Sequence, residues 1–326
     1  MKTALFSTHS YDKKFFDLVN IDFGHELVYL EPALNAKTAV LAAGCEAVCV
    51  FVNDIVDADT LKVLQQSGIS VVVLRCAGFN QVDLSAAREL GIQVFRVPSY
   101  SPEAVAEHAV AMIMTLNRKT HKSYNRVREG NFSLERLIGF NLYGKKAGVI
   151  GLGQIGLAFA KIMNGFGCEV IAFDPVVKQA PEYIRLVDYD TLITEADLIS
   201  VHCPLNEHTH HLINQQSFEK MKNGVMLINT SRGAILDTAD AIEALKHGKL
   251  GYLGIDVYEQ EDKLFFRDLS ERLIADEQIL RLMSFSNVLI TAHQGFFTNE
   301  ALTEIAHTTL QNLDDAEQGA GNSNKL

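Results

Sequence analysis

His293, at the end of an apolar run in "ITAHQGFF", Arg232 in "NTSRG", and the carboxylates of "DVYEQED" are the residues best suited to reaction chemistry. An imidazole can pass a proton to or from an alcohol or carbonyl oxygen, and a neighbouring carboxylate favours its charged form. Arginine can grip a substrate carboxylate through two parallel hydrogen bonds and polarise the adjacent carbonyl, a task for which lysine has the wrong geometry. Spacing does not choose among Asp256, Glu259, Glu261 and Asp262 as the carboxylate partner. Each residue alone also has a plain structural reading, because loop histidines are usually solvated and arginines at helix starts usually lie at the surface.

A second constellation supplies what such a set would need. "KAGVIGLGQIGLAFAKIMNGFGCEVIAFD" runs strand, Gly151-x-Gly153-x-x-Gly156, helix, strand, and ends at Asp174, 23 residues beyond the first glycine. Glycines so placed permit a tight turn, let the backbone approach a pyrophosphate and bring helix close to strand, while the helix N-terminus attracts phosphate. Asp174 can bond both ribose hydroxyls and would repel a 2′-phosphate; no arginine follows at once in "DPVVKQ", so the motif favours NAD over NADP. Ligands of open parallel sheets gather at the carboxyl ends of the strands. Those ends carry Cys203-Pro204, Thr230-Ser231-Arg232, Asp256 and His293, which can therefore share one rim.

The elements that must position these residues are legible as two alternating series. From residue 1 to about 99, "TALF", "AVCVFV", "ISVVVLR" and "IQVFRV" alternate with amphipathic stretches. Continuous apolar runs of this kind indicate parallel strands covered on both faces. "VPSYSP" breaks the pattern; "EAVAEHAVAMIMTLNRKTHKSYNRV" then reads as one long helix, apolar nearly all round at first, suited to a place between domains or at a subunit contact. A second series follows, with "DLISVHCP", "GVMLINTSRG", "GYLGIDVYE" and "NVLITAHQ", and a helix capped by Asp237. The expected fold is α/β: two doubly wound parallel-sheet domains, a Rossmann-type cofactor domain over 100–297 and a smaller flavodoxin-like substrate domain over 1–99 plus about 298–326. The last helix is expected to return to the first domain, and "AGNSNKL" reads as a polar, mobile tail.

With the motifs in place, Arg232 in "INTSRGAILD", Glu261 in "DVYEQE" and His293 in "ITAHQGFF" closely resemble the Arg/Glu/His signatures of the D-isomer-specific 2-hydroxyacid dehydrogenases. The signatures and the glycine motif occur in the family's order, and the resemblance covers nearly the whole chain. It implies that His293 is the acid/base, that Glu261 holds and tunes it, and that Arg232 binds and orients a 2-keto acid. It implies, too, that the main-chain amides of Ala77 and Gly78 in "RCAGFN" bind the substrate carboxylate. Cofactor contacts then fall on Gln154, Ile155, Asp174, Cys203, Pro204, Thr209, Thr230, Ser231 and Asp256, beside the three glycines. "RCAGFNQVDL", "RVPSYSPEAVAEHAV" and the paired phenylalanines after His293 resemble most the branch acting on D-lactate. There Tyr100 would touch the substrate, with an interdomain hinge as its alternative role, and bulky rings near Phe51 and Phe296 would leave room for little more than a methyl group. The implied reaction interconverts pyruvate and D-lactate with NADH/NAD. The alternatives are a larger 2-keto acid, or a non-enzymatic NAD-sensing partner protein such as one branch of the family resembles.

Composition narrows the partners. With 40 acidic against 29 basic residues the formal charge is −11, which disfavours nonspecific binding to nucleic acid or an anionic membrane. "MKTALFSTHSYDKK" lacks the apolar core of a signal peptide, and no later window suits a membrane span, so the expected place is the cytoplasm. Five cysteines without a C-x-x-C pair read as reduced core thiols. No metal is expected: His208, His210 and His211 have no carboxylate or cysteine at ligand spacing and read as a solvated loop. His108 reads as a packed or interdomain residue, His202 as a strand-end group near the cofactor and Asp262 as surface. The apolar helix from about 103 suggests a homodimer or homotetramer.

Overall fold

Runs such as Val71–Leu74 and Leu198–Val201 contain no polar alternation, so their strands must be covered on both faces. The structure, a computed structural model, describes residues 1–319 and 321–326, the side chain of Lys263 apart. These residues form two compact units, one of Met1–Ser101 with Phe297–Leu326, the other of Pro102–Phe296.

The first unit has strands β1 (Lys2–Leu5), β2 (Glu26–Tyr29), β3 (Ala47–Val50), β4 (Val71–Leu74) and β5 (Gln93–Arg96), ordered β2-β1-β3-β4-β5 and all parallel. This is the flavodoxin-like order. The helix Asn299–Gln318 belongs to this unit, packing on helix Ser10–Asn20 and on β4 and β5. Thr298 caps its start and Gly319, at φ +63°, ends it. The polar tail is not loose. Arg96 N–H donates to Asn324 O, Leu326 N–H to Val94 O, and Phe95 and Lys325 form an antiparallel bridge. The outer edge of β5 has backbone groups that no strand satisfies, and the tail uses them. Ala320, in the same stretch, lies outside the described residues.

In the second unit, β6 (Lys146–Ile150), β7 (Glu169–Phe173), β8 (Ile184–Leu186), β9 (Leu198–Val201), β10 (Val225–Asn229), β11 (Leu250–Ile255) and β12 (Val288–Ile290) form a parallel sheet. Its order is β12-β11-β10-β9-β6-β7-β8, with the direction of winding reversing between β6 and β9. That reversal is where an open α/β sheet leaves a crevice. The long apolar stretch forms two helices, Pro102–Arg118 and Thr120–Arg128, broken at Lys119 with φ +50°. The first lies on β10, β11 and the helix Gln154–Gly165, burying Ala106, Ala109 and Ile113 completely. Its apolar faces are thus satisfied inside the unit, and it gives no ground for a subunit contact.

Candidate active site

The crevice begins at Gly151, the first residue after β6. Its φ of +91° is left-handed, and a Cβ there would stand 2.6 Å from the backbone nitrogen of Cys203, just beyond the neighbouring β9. A Cβ on Gly156 would lie 2.1 Å from Gly151 O, whereas one on Gly153 would enter open space. The first and third glycines therefore serve packing, and the second leaves an approach to the helix start. Gly153 is the N-cap of helix Gln154–Gly165, and no side chain caps it. Gln154 is exposed and Ile155 half-buried at this end. Asp174, just beyond β7, accepts from Leu152 N–H at 2.9 Å and from Val176 and Val177 N–H at 2.8 and 3.1 Å. Burial pushes its carboxyl up, but these three bonds outweigh it and hold the group below the ordinary carboxylate value.

The next strand ends line the same rim. Ser231 Oγ donates to Cys203 O at 2.5 Å, and Thr209 Oγ1 donates to Pro204 O at 2.6 Å, so the loops after β9 and β10 are tied together. Burial pushes the Cys203 thiol up to about 11, which leaves it protonated and inert at neutral pH. Thr230 Oγ1 is buried without a partner among the described residues. An orphaned hydroxyl in a polar rim fits a group that a bound molecule completes.

His293 and Glu261, 32 residues apart in the chain, meet at 2.8 Å through Nδ1 and Oε1. The other carboxylate oxygen of Glu261 accepts from Tyr258 N–H at 2.9 Å. The imidazole keeps Nε2 for another partner, and the ring of Phe266 lies 6.0 Å away, centroid to centroid. His293 has φ +53°, a conformation costly for a side chain with a Cβ. What holds it is Asp256, a residue only 2% exposed. Its carbonyl accepts from His293 N–H at 2.7 Å, and its carboxylate accepts from Gln294 N–H and Gly295 N–H, each at 2.8 Å. Thr291 Oγ1 adds a bond of 2.6 Å, and His108 Nε2 stands 3.4 Å from the same oxygen. Burial pushes this carboxyl up, but hydrogen bonds from His108 and Thr291 help bring it below its ordinary value. Asp256 is so occupied that its evident work is to shape the His293 loop, a use that a strand-end aspartate in sequence does not reveal.

Arg232 follows β10, half-buried, with Nη1 donating to Ser231 O at 2.6 Å. Asn229 holds its backbone, donating to Arg232 O at 2.9 Å and accepting from Ser231 N–H at 3.1 Å. A Cβ on Gly233 would lie 2.1 Å from the carbonyl carbon of Tyr258, so only glycine lets the arginine loop press against the segment leading to Glu261. Asn229 and Gly233 were not singled out by sequence reasoning; the polar end of "GVMLIN" and the glycine after Arg232 were the available signals.

In the first unit, Ala77 and Gly78 sit in the loop after β4, and their main-chain N–H groups find no acceptor among the described residues. Arg75 anchors that loop. Its guanidinium donates to Phe6 O and Ser7 O at 2.9 and 2.8 Å, approaches Asp12 at 3.3 Å, and lies over the Phe51 ring. Tyr100 is a half-buried loop residue beyond β5. Phe51, in the first unit, and Phe296, at the end of the second, are each 8% exposed.

Three further histidines differ from expectation in degree. His202 bonds Ser200 Oγ at 2.9 Å, and burial pushes its imidazole down to about 3. His208 is exposed, whereas His211 is half-buried between Glu259 and Asp237. Asp262 is exposed.

Residues 110–295 match the family model "D-isomer specific 2-hydroxyacid dehydrogenase, NAD binding domain". The chain is 54% identical over 328 residues to the D-lactate dehydrogenase of Escherichia coli, covering 100% of both. The solved apo-structure of that enzyme superposes with a TM-score of 0.91 over 100% of both chains, at 51% identity. A structure described as the pyruvate reductase of Chlamydomonas reinhardtii gives 0.93 at 42% identity, covering 99% of this chain and 98% of the other. The chain belongs to the D-isomer-specific 2-hydroxyacid dehydrogenases, NAD-binding enzymes built on two parallel-sheet domains.

Proposed function

We propose that this dehydrogenase interconverts pyruvate and D-lactate, with His293 as the proton carrier. The reading is carried by the His293–Glu261 pair at 2.8 Å, which leaves Nε2 of the imidazole for a substrate oxygen. Full-length identity to a D-lactate dehydrogenase supports the choice of substrate. Bound NADH supplies the hydride for C2 of the keto acid. His293 gives its proton to the keto oxygen in reduction and takes it back in oxidation, so the two directions have opposite pH trends. Glu261 orients the ring through its contact with Nδ1. Arg232 grips the substrate carboxylate. The free amides of Ala77 and Gly78 are further carboxylate donors, and Tyr100 and Phe296 are substrate-contacting residues. NAD is assigned to the uncapped helix start after Gly153, to Gln154 and Ile155, to Asp174, and to the rim of Cys203, Pro204, Thr209, Thr230 and Ser231. Asp256 acts there through the loop it holds.

We assign the substrate domain to the first unit and the cofactor domain to the second. A homodimer or homotetramer is supported by the exposed apolar side chains of Phe132, Leu134, Ile138 and Tyr143, and a cytoplasmic place by five free, buried cysteines. Light scattering during gel filtration checks the first of these, a monomer refuting it.

The decisive assay follows NADH oxidation with a panel of 2-keto acids, D- and L-2-hydroxy acids being used for the reverse. Pyruvate and D-lactate are expected to be preferred. Preference for a longer keto acid would move the substrate, and NADH binding without turnover on any member would replace catalysis by cofactor sensing. Asp174→Ala is expected to erode the preference for NAD over NADP, and an unchanged ratio refutes the ribose role.

A further inference from the structure

We propose that His210, His211 and Glu259 form a binding site for a divalent transition metal of the zinc class, apart from the His293 centre. Their ligand atoms all lie within 4.8 Å of one another. The two imidazoles stack, with centroids 4.0 Å apart and planes inclined by 27°. Glu259 arrives from 48 residues further along, its Oε1 2.7 Å from His211 Nε2.

The site is braced from behind. Asp237 caps the helix Thr238–Lys246 through Oδ1, which accepts from Asp240 N–H, and presents Oδ2 to His211 Nδ1 at 3.2 Å. That is the carboxylate–histidine arrangement which fixes the ring and turns the opposite nitrogen toward a metal. Glu259 is held in the same way, its second oxygen accepting from Thr238 Oγ1 at 3.2 Å. His211 has φ +48° and is fixed by its N–H bond to Ala234 O at 2.8 Å. Three chain segments therefore converge on one half-buried imidazole, and exposed His210 leaves an open path for entry.

Two imidazoles and one carboxylate suit zinc, which takes nitrogen and oxygen ligands tetrahedrally and leaves a fourth position to water. With metal–ligand distances of about 2.0–2.2 Å, tetrahedral ligands stand roughly 3.3 Å apart, so the His211–Glu259 contact must open by about half an ångström. The metal then displaces the proton that the pair shares. Among the described residues a rival group, His25 with Asp314 and Glu317, is less suited, because the amino terminus of Met1 already bonds His25 Nδ1 and Glu317.

Cobalt(II) added to the purified full-length chain is the probe, since its visible absorption reports coordination without reference to catalysis. One equivalent per chain is expected to bind with the bands of a tetrahedral or five-coordinate centre, and excess Zn²⁺ is expected to displace it. His210→Ala and Glu259→Gln are each expected to weaken binding by about tenfold or more. Circular dichroism establishes that both variants are folded, and the exposure of His210 makes the first of them structurally safe. No saturable binding to the native chain, or binding that both variants leave unchanged, overturns the proposal. Neither result touches the assignment of His293, which the keto-acid assay judges separately.

Discussion

Glu261 and Glu259 stand two residues apart, and each meets a histidine at 2.7–2.8 Å in which φ is positive, yet the two pairs are built for different ends. His293 has one carboxylate, at Nδ1, and its loop is fastened by the buried carboxylate of Asp256. His211 has a carboxylate at each nitrogen and a second imidazole stacked on it. A proton carrier needs one free nitrogen and one tuning partner; a ring bracketed on both sides has no nitrogen left for substrate. The difference teaches that a His–Glu distance does not define a catalytic pair. What the remaining nitrogen faces does.

The sharpest way to break this contrast is to remove each exposed or reactive ring in turn. His293→Ala is expected to lower turnover by about 10³-fold while NADH binding, followed by fluorescence, persists. His210→Ala in metal-free buffer should leave turnover where it was. Comparable losses in both variants would erase the distinction. Next comes the support: Asp256→Asn puts an amide NH₂ against the donors of Gln294, Gly295 or Thr291. We expect a loss of about 3 kcal/mol in denaturant unfolding, because a buried acceptor network is broken. A variant as stable as the native chain would mean that the loop holds its shape without that carboxylate. Smaller again is the paired substitution of the glutamates. Glu261→Gln keeps the shape but removes the charge, and should cut turnover by about tenfold, the low end of what a tuning partner is worth. Glu259→Gln, two residues away, should not change it in the absence of metal; an equal loss would place both glutamates in one network.

How far this was legible in sequence depends on how far apart the partners lie. The glycine turn could be read because strand, turn, helix and acid are consecutive, and the parallel sheets because the buried strands are mostly continuous apolar runs. The choice of Glu261 among four acids needed the family resemblance. In the structure Asp256 faces the Gln294–Gly295 amides because β11 and β12 lie side by side, Glu259 faces His211, which comes from the segment after β9, and Asp262 is exposed. The histidine loop reads as solvated in sequence because its carboxylates are distant: Asp237 comes from the N-cap of the helix Thr238–Lys246 and Glu259 from the segment after β11. The long helix misled through composition: a helix apolar on several faces can be satisfied by a sheet and a second helix of its own unit, with alanines allowing the close approach.

His202 sets the lower limit of the comparison, a histidine on the same rim with no carboxylate partner. It follows β9, bonds only Ser200 Oγ among the polar contacts described, and packs on Phe159 at 5.0 Å. Burial alone pushes it from 6.5 down to about 3, so the folded chain holds it neutral where the unfolded chain takes up a proton. More protons bound in the unfolded state means that stability rises with pH. The contribution is complete above pH 6.5 and is lost as the pH falls from there toward the folded value. Between pH 6.5 and pH 5 the loss is at most about 2 kcal/mol. His202→Gln removes the titration, so the stability gap between native and variant chains, measured by urea unfolding, should shift against the native chain by that amount over the same interval. A gap independent of pH would mean that His202 gains a proton within the fold as readily as outside it. The rim would then hold a second proton carrier, and a carboxylate partner would no longer separate His293 from its neighbours.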